Sequence, residues 1–334
     1  MSKGAKGNFS KNKYSKDAIL ARIEQNSGVP NLSQALERIE QTDLQTLLLE
    51  VYRRHAGRRG KSLLTDYSSN RFVKISEFDP VLLNEWDGVA YAHLPQGFRS
   101  LELSPLCPLG TVSGVAPISQ DWIITTLRNS EVVSDSTNVL ALEGARLRNE
   151  YLLKKSKDAS EVKLCCSHRV VRAQRYEYPE AQAHFRLFSL CSAGRDTGEY
   201  RFEAKALQDH VQMYVTSIRN FLQAEIPLKI TISTINANSK IYDALKHATG
   251  LSMQKFASLT TEINSDLNPG SYYNSFTFQI SAMSDRGKPY ELVDGGDTDW
   301  TQKLLSSSKE RLVISGIGSE RVCSLKLLKK EKIE

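Results

Sequence analysis

The chain has 334 residues, of which 40% are hydrophobic, and a formal net charge of +6. A chain of this size can bury a large core, and its apolar runs are too short for a secretory signal or a membrane span. We therefore expect a soluble cytoplasmic protein that does not associate with membranes. The five cysteines form no CxxC pair, which predicts buried reduced thiols and no metal site.

The basic excess is confined to the start of the chain. Residues 1–61 carry 12 Lys and Arg against 6 Asp and Glu, which leaves 32 of each class in residues 62–334. Such a segment can contact nucleic-acid phosphates in a salt-dependent manner. It is equally compatible with a solvated tail and a helix whose cationic end complements the helix dipole. Both alternatives stay open at this stage.

Composition and periodicity predict three regions. Residues 1–31 are rich in Lys, Ser, Asn and Gly, which predicts a disordered basic tail. Residues 32–75 form a helical N-terminal extension, and residues 76–334 form the core. In the extension, the tract Thr42-Asp43-Leu44-Gln45 has the spacing of a capping box. The following helix, which ends near Gly57, has one apolar face made of Leu44, Leu47, Leu48 and Val51.

The core is predicted to alternate between helices and clustered strands. Helices are expected from Phe78 to Ala92, from an N-cap at Asn138 to Leu152, and along the face Leu207, Val211, Tyr214, Ile218 and Phe221. Strands are expected at 98–105, 161–166, 169–174, 184–191, 228–233 and 276–280. Strands grouped in this way, without a regular strand–helix alternation, predict an α+β fold with a mainly antiparallel β-sheet flanked by helices.

Three tracts occur in a fixed order along the core: Gly97–Pro105, Arg169–Gln174 and Ser315–Arg321. Each is too short to be informative alone, since strands that end at a proline and glycines at a strand exit are common. As an ordered set they resemble the three motifs of class II aminoacyl-tRNA synthetases. The resemblance covers the core from about residue 76 and implies a class II synthetase-like catalytic core. Its first motif implies a homodimer.

The second tract, the strand that returns after it and the third tract contain the residues that the resemblance assigns to ATP. Arg172 would bind the α-phosphate and the substrate carboxylate, while Phe185 would stack on adenine. Gln174 stands where the family has a glutamate, so it retains the hydrogen-bonding reach without the charge. Gly316 and Gly318 let the chain pass close to the nucleotide. Arg321, the last residue of the Gly-x-Gly-x-x-Arg spacing, would bind the γ-phosphate.

Within class II, the details resemble histidyl-tRNA synthetase and its relative, the regulatory subunit of ATP phosphoribosyltransferase. Asp135 and Thr137 match an element that contacts the substrate amino group, although Asp and Thr are also ordinary residues at the start of a helix. The remaining substrate-binding positions implied by the resemblance are a tyrosine pair and a glycine pair, namely Tyr272, Tyr273, Gly295 and Gly296.

The sequence also departs from that family pattern. Asn268-Pro269 replaces a catalytic arginine, and Asp297 replaces the arginine that follows the glycine pair. Gln279 replaces a glutamate near the metal and ATP. Mg²⁺ is expected with ATP, but its ligands are not identified, with Asp297 and Asp299 as possible carboxylates. The chain ends at Glu334, so we expect a core without an anticodon-binding domain.

Three functional hypotheses follow. The first is ATP-dependent activation of an amino acid or related carboxylate as an acyl-adenylate by a stand-alone class II paralogue that is not a complete tRNA synthetase. The second is a non-catalytic, dimeric regulatory or ligand-sensing paralogue that acts on a partner enzyme. The third is an RNA-binding protein that uses the basic N-terminus.

Overall fold

The computed structural model describes residues 15–57, 60, 62–154, 161–174, 182–235, 240–253, 256, 258–266, 272–283 and 289–331. The chain divides into two compact units, one formed by Met1–Leu63 with Leu127–Asn129 and one formed by Leu64–Thr126 and Ser130–Glu334. The predicted boundary at residue 76 stays a prediction. None of the helices in the described ranges combines the length and apolar character needed to cross a membrane.

Among its described residues, the smaller unit contains three complete helices: α1 Lys16–Ser27, α2 Leu32–Glu37 and α3 Gln41–Gly57. Thus α1 occupies part of the predicted tail, since Ser15 caps its start and Gly28, with φ 69°, ends it. Residues 1–14 lie outside the described residues. The predicted cap at Thr42 is wrong, because the carbonyl of Glu40 accepts the first backbone hydrogen bond of α3 and places Thr42 in its first turn.

The larger unit is built on an eight-stranded sheet in the order β1-β4-β5-β10-β9-β8-β6-β7. The pairs β1/β4 and β6/β7 are parallel and the other pairs are antiparallel, so the mainly antiparallel α+β prediction is confirmed. A separate two-stranded sheet consists of β2 and β3. The strands are β1 Phe98–Ser100, β2 Leu106–Pro108, β3 Ser130–Val132, β4 Val162–Val171, β5 His184–Arg195, β6 Leu228–Thr234, β7 Leu259–Asn264, β8 Phe276–Met283, β9 Pro289–Thr298 and β10 Glu310–Gly318.

Helices pack on both faces of this sheet. Those packed on it are α5 Pro80–Ala92, α6 Thr111–Val115, α7 Ser136–Leu153, α8 Arg201–Leu222, α9 Lys240–Met253, α10 Trp300–Leu305 and α11 Ser319–Glu331, and the short helix α4 Leu63–Ser69 comes before them in the chain. Alternate side chains of β10 project to opposite faces of the sheet. Val313 and Ile317 belong to the core under α5, α8, α9 and α11, whereas Leu312 and Ile314 belong to the core under α7 and α10. The predicted apolar face of α8 is buried in the first of these cores, as expected from its spacing.

Local predictions failed where long-range pairing overrode the sequence pattern. The two strands predicted at 161–166 and 169–174 form one strand, β4, because its ten residues pair with β5 without interruption. Arg172 therefore lies after the strand instead of within it. The strand predicted to end at Pro105 leaves the sheet after Ser100. The helix predicted to be capped by Asn138 begins earlier, because Asp135 accepts a hydrogen bond from the Thr137 amide at 2.9 Å.

All five cysteines are buried and carry free thiols, as predicted. Burial raises the pKa of Cys191 and of Cys323 to about 12. At neutral pH these thiols are protonated and behave as small apolar side chains.

A buried ion pair joins α7 to β10. The guanidinium of Arg148 donates from Nε to Glu310 Oε2 at 2.8 Å and from Nη2 to Glu310 Oε1 at 3.0 Å. Both side chains are at most 2% exposed. Removal of either partner would leave a charge in the core without compensation.

We predict that Arg148→Met lowers the free energy of unfolding by about 3–5 kcal/mol, because Glu310 stays buried without its partner. The double variant Arg148→Met/Glu310→Leu should recover most of this loss. Arg146→Met, on the same helix but 55% exposed, is the matched control and should change stability by less than about 0.5 kcal/mol. Denaturant unfolding measures all three, and an equal loss in the single and double variants would contradict the prediction.

A second buried carboxylate fixes the start of β8. Asp297 is 5% exposed, and its Oδ1 accepts hydrogen bonds from the backbone amides of Ser275 and Phe276, each at 2.8 Å. Burial raises the pKa of Asp297 despite these bonds. Its charged form therefore costs stability, whereas its acceptor oxygen contributes stability.

We predict that Asp297→Asn is at least as stable as the wild type at pH 7, because it keeps the acceptor and removes the desolvated charge. The folded pKa exceeds the unfolded value of about 3.9, so the wild type gains stability relative to this variant as the pH falls towards 4. Asp297→Ala should lose about 1–3 kcal/mol at both pH values, since two backbone amides lose their acceptor. Chemical unfolding at pH 7 and pH 4 tests this, and equal losses in the Asn and Ala variants would refute it.

Candidate functional site

A cavity of about 320 Å³ opens on the α7 side of the sheet, above the central strands. This is within the range of roughly 300–1,000 Å³ that is usual for small-molecule sites. The structure brings most of the predicted site residues together here, although they are far apart in sequence. Those that line the cavity are Asp135, Thr137, Arg172, Phe185, Tyr272, Tyr273, Gly316, Gly318 and Arg321.

The floor of the cavity is set by strand register. Asp294 on β9 lies opposite Gly316 on β10 and opposite Gln279 on β8. Residues directly opposite on neighbouring strands project to the same face of a sheet, so these three form one row across the floor. Gly316 has no side chain, which leaves the space beside the Asp294 carboxyl open.

Arg172 is held at one wall of the cavity by the turn that precedes α7. Its Nε donates to the carbonyl of Ser134 at 3.0 Å, and its Nη2 donates to Asp135 Oδ2 at 3.1 Å. The guanidinium carbon lies 5.0 Å from the centre of the Phe185 ring, within cation–π range. The predicted phosphate-binding arginine and the predicted adenine-stacking ring are therefore neighbours.

Arg321 occupies the first turn of α11 at another wall. Its Nη1 donates to the backbone carbonyl of Glu291 at 2.9 Å. The preceding Glu320 is mostly buried, its two carboxylate oxygens share the hydrogen bond donated by the Arg186 backbone amide, and it lies 3.4 Å from Arg169 Nη1. Burial raises the pKa of Glu320. This carboxylate joins α11 to β5 and so fixes the position of Arg321.

The tyrosine pair stands over β9. The Tyr273 hydroxyl donates to Asp294 Oδ2 at 2.6 Å, and the Tyr272 hydroxyl donates to the Tyr273 oxygen at 3.2 Å. Burial raises the pKa of both phenols, so they are neutral hydrogen-bond donors at physiological pH. Burial also raises the pKa of Asp294, and the nearby carboxylates of Asp135 and Glu291 add to this effect.

The glycine pair acts through packing and does not line the cavity. A Cβ on Gly296 would lie 2.4 Å from the Phe276 carbonyl oxygen and 2.6 Å from the Tyr273 ring. A Cβ on Gly295 would lie 2.6 Å from the Ile314 carbonyl oxygen, on the opposite face. Gly296 therefore lets Tyr273 lie directly against the sheet.

Other predicted positions lie elsewhere. Gln174 is not among the cavity-lining residues, and its carbonyl accepts a hydrogen bond from Arg71 Nη1 at 3.2 Å. Asp297 binds backbone amides and Asp299 lies 2.9 Å from Lys303, so neither possible magnesium ligand faces the cavity. Asn268 and Pro269 lie outside the described residues, as does the hairpin loop 175–181.

Sequence reasoning missed several cavity-lining residues, of which Asp294, Glu291 and Glu320 are acidic. Asp294 could have been found from its position next to the glycine pair on a predicted strand. Glu291 carried no comparable signal. The described residues contain no group of three or more His, Cys, Asp or Glu side chains that could hold a metal ion.

Comparisons with known proteins bear on the fold. No protein-family model and no curated protein matches the sequence. Among solved structures, an ATP phosphoribosyltransferase regulatory subunit/histidyl-tRNA synthetase from Bacillus halodurans is 13% identical, with a TM-score of 0.55 over 76% of this chain and 81% of that one. Histidyl-tRNA synthetase from S. aureus is 16% identical, with a TM-score of 0.53 over 77% and 71% of the two chains.

A histidine–tRNA ligase subunit from Alicyclobacillus acidocaldarius is 12% identical, with a TM-score of 0.54 over 77% of this chain and 96% of that one. At such low identity, these likenesses establish the fold alone. They agree with an α+β core in which helices flank a mixed sheet. The chain therefore has an α+β core with the fold of class II aminoacyl-tRNA synthetases.

Proposed function

We propose that this protein binds ATP and a small carboxylate in the cavity and activates the carboxylate as an acyl-adenylate. One observation carries the proposal: Arg172 and Arg321, which belong to two distant tracts, line the same cavity above the side-chain-free positions Gly316 and Gly318. Two guanidinium groups over an open floor suit a polyphosphate, because arginine forms strong paired hydrogen bonds with phosphate oxygens.

The residues around Arg172 favour a nucleotide over a simple anion as the ligand of the cavity. Phe185 lies beside this arginine and offers an aromatic face on which a purine could stack. A base against Phe185 would place the α-phosphate near Arg172. Arg321 would then meet the outer phosphates.

The reaction would proceed by attack of a carboxylate oxygen on the α-phosphorus. The bond to the β-phosphate then breaks, and pyrophosphate leaves with the electron pair. Negative charge that develops on the α-phosphate and the leaving group would be stabilised by the two arginines, which are already positioned by Asp135 and by the Glu291 carbonyl.

Mg²⁺ bound with ATP would take one or two carboxylates and keep several waters. Glu291 is the candidate, since it lines the cavity beside Arg321.

A non-catalytic ligand-binding relative is the second candidate. Asp297 favours it, because the family arginine at this place is replaced by a carboxylate that binds backbone amides outside the cavity. Such a protein would bind ATP or a carboxylate without exchanging pyrophosphate, and would alter the activity of a partner enzyme. The homodimer and RNA binding by the basic N-terminal segment stay predictions.

We predict that Arg172→Ala and Arg321→Ala each weaken ATP binding by about ten-fold to more than a hundred-fold. Loss of a charge-assisted hydrogen bond costs about 1.5–3 kcal/mol, and 1.4 kcal/mol corresponds to a factor of ten. Calorimetry measures ATP affinity, and ATP–pyrophosphate exchange over a panel of amino acids and other carboxylates measures activation. Arg146→Ala removes the same charge from the exposed surface of α7 and should change neither.

The outcomes separate the candidates. Exchange that is lost in both cavity variants supports activation, whereas ATP binding without exchange supports the ligand-sensing relative. Unchanged ATP affinity in both variants, or no ATP binding by the wild type, would overturn the proposed nucleotide site.

We also predict that Phe185→Leu weakens binding of ATP and AMP by a similar factor, about ten-fold or more, because base stacking on an aromatic ring contributes about 1–3 kcal/mol. Inorganic triphosphate, which has no base, should bind both proteins equally. Competition calorimetry with ATP, AMP and triphosphate gives, for each ligand, the ratio of the dissociation constants of the variant and the wild type. An equal loss for triphosphate would show that Phe185 acts through Arg172 and not through a base.

A further inference from the structure

The segment 71–78, which leads into α5, contacts both the cavity and the residues that support its two arginines. Phe78, at the end of the segment, lines the cavity. Arg71 and Lys74 make hydrogen bonds to residues that follow β4 and begin β5. Most of the segment precedes residue 76, where the resemblance to the synthetase core begins. The three ordered tracts therefore assign no role to it.

Arg71 holds the chain directly after Arg172. Its Nη1 donates to the Gln174 carbonyl at 3.2 Å, and its Nη2 donates to the Ala173 carbonyl. The guanidinium carbon also lies 4.2 Å from the centre of the Phe72 ring, which restricts the side chain further. Because a guanidinium is a rigid planar fork, two successive carbonyls that bind it are fixed relative to each other. Strand β4 has already ended here, so Arg71 anchors the chain beyond the strand pairing.

On the other side of the connection between β4 and β5, His184 links the segment to the support of Arg321. Its Nε2 makes a hydrogen bond with the Lys74 carbonyl, and its Nδ1 lies 3.1 Å from Arg169 Nη1. A carbonyl can only accept and a guanidinium can only donate, so the two partners assign the proton to Nε2. Arg169 in turn lies 3.4 Å from Glu320, the carboxylate that joins α11 to β5.

We propose that Arg71 and His184 are positioning residues of the nucleotide site, which use the 71–78 segment as a tie between the supports of Arg172 and Arg321. The inference rests on the proposed function and deepens it by naming what sets the separation of the two arginines. Neither Arg71 nor His184 is among the cavity-lining residues, so each acts through a neighbour. Arginines held at a fixed separation bind a polyphosphate with little loss of side-chain freedom.

The two positioning residues act on different parts of the ligand. In the proposed binding mode, Arg172 meets the α-phosphate and Arg321 meets the outer phosphates. Loss of the Arg71 contact should therefore weaken binding of every ligand that carries an α-phosphate next to a base. Loss of the His184 contact should weaken binding only of ligands that carry the outer phosphates.

The test measures binding of ATP, AMP and inorganic triphosphate to the full chain by calorimetry. Arg71→Ala should weaken binding of ATP and AMP alike, by about three- to thirty-fold, the range expected for residues that act through another residue. Arg71→Lys keeps a donor but not the planar fork, so its loss should be smaller. His184→Phe should weaken binding of ATP and triphosphate in the same range. It should leave AMP unchanged, which also shows that the adjacent Phe185 is undisturbed.

Arg201→Ala is the matched control for the Arg71 variant. The guanidinium of Arg201 also donates to two successive carbonyls, those of Thr197 and Gly198, at the start of α8 and outside the cavity. Its removal deletes the same kind of contact and should leave the affinity for all three ligands unchanged.

A double-mutant cycle separates positioning from a general effect on the fold. If Arg71 acts through Arg172, Arg71→Ala should cause little further loss of ATP affinity in a chain that already carries Arg172→Ala. Hydrogen exchange of the ligand-free chain measures positioning directly. The Arg172 amide donates to the Ala183 carbonyl at 2.7 Å, and the Ala173 amide donates to the Trp122 carbonyl at 3.0 Å. Both amides should exchange about ten-fold faster in Arg71→Ala and at the wild-type rate in Arg201→Ala.

The outcomes distinguish this inference from the proposed function. Normal ATP binding by the wild type with unchanged affinities in Arg71→Ala overturns the inference alone. Additive losses in the double-mutant cycle, or an equal loss of AMP affinity in His184→Phe, also overturn it. Absence of ATP binding by the wild type overturns the proposed function. In that case faster exchange at Arg172 in Arg71→Ala would still support the positioning role, and unchanged exchange would overturn it.

Discussion

The cavity depends on the glycines of the two central strands, β9 and β10. A side chain at Gly296 would collide with the Phe276 carbonyl oxygen at 2.4 Å, and one at Gly316 would lie 3.1 Å from Leu187. Without glycine at 296, Tyr273 could not lie against the sheet. Without glycine at 316, the floor beside Asp294 would be filled. The same absence of side chains thus positions the tyrosine pair and leaves the space into which the two arginines face.

The charges around this floor are arranged by structural contacts that do not need a ligand. Asp135 caps α7 and at the same time holds Arg172, so the orientation of the arginine is coupled to the start of a buried helix. Glu320 joins α11 to β5 and thereby fixes the neighbouring Arg321. Arginines held in this way lose little side-chain freedom when an anion binds, which is the advantage of a pre-organised site. Asp294 is the exception, since the two side chains that hydrogen-bond its carboxyl, Tyr273 and Gln279, are both neutral.

Predictions from the sequence succeeded where the apolar residues of a segment recur with a single helical or strand spacing. The spacing of Leu207, Val211 and Tyr214 fits a helix with a single buried face, and α8 is such a helix. They failed where pairing with a distant strand decided the outcome. Nothing local indicates that Ser167 and His168 continue β4, because it is β5 that supplies their backbone partners. The cap of α7 was misplaced for a related reason: Asp135 is held by Arg172 from beyond the end of β4 as well as by its own helix.

The sequence by itself determined the α+β class, the mainly antiparallel sheet, and the three ordered tracts, two of which carry Arg172 and Arg321. These follow from periodicity and residue type, which are local properties of the chain. The tertiary structure alone decided that the tracts share one cavity, that Asp297 faces backbone amides, and that Asp294 faces the open floor. Those outcomes depend on strand register, since the alternation of a strand assigns each side chain to a face only once its partners are fixed.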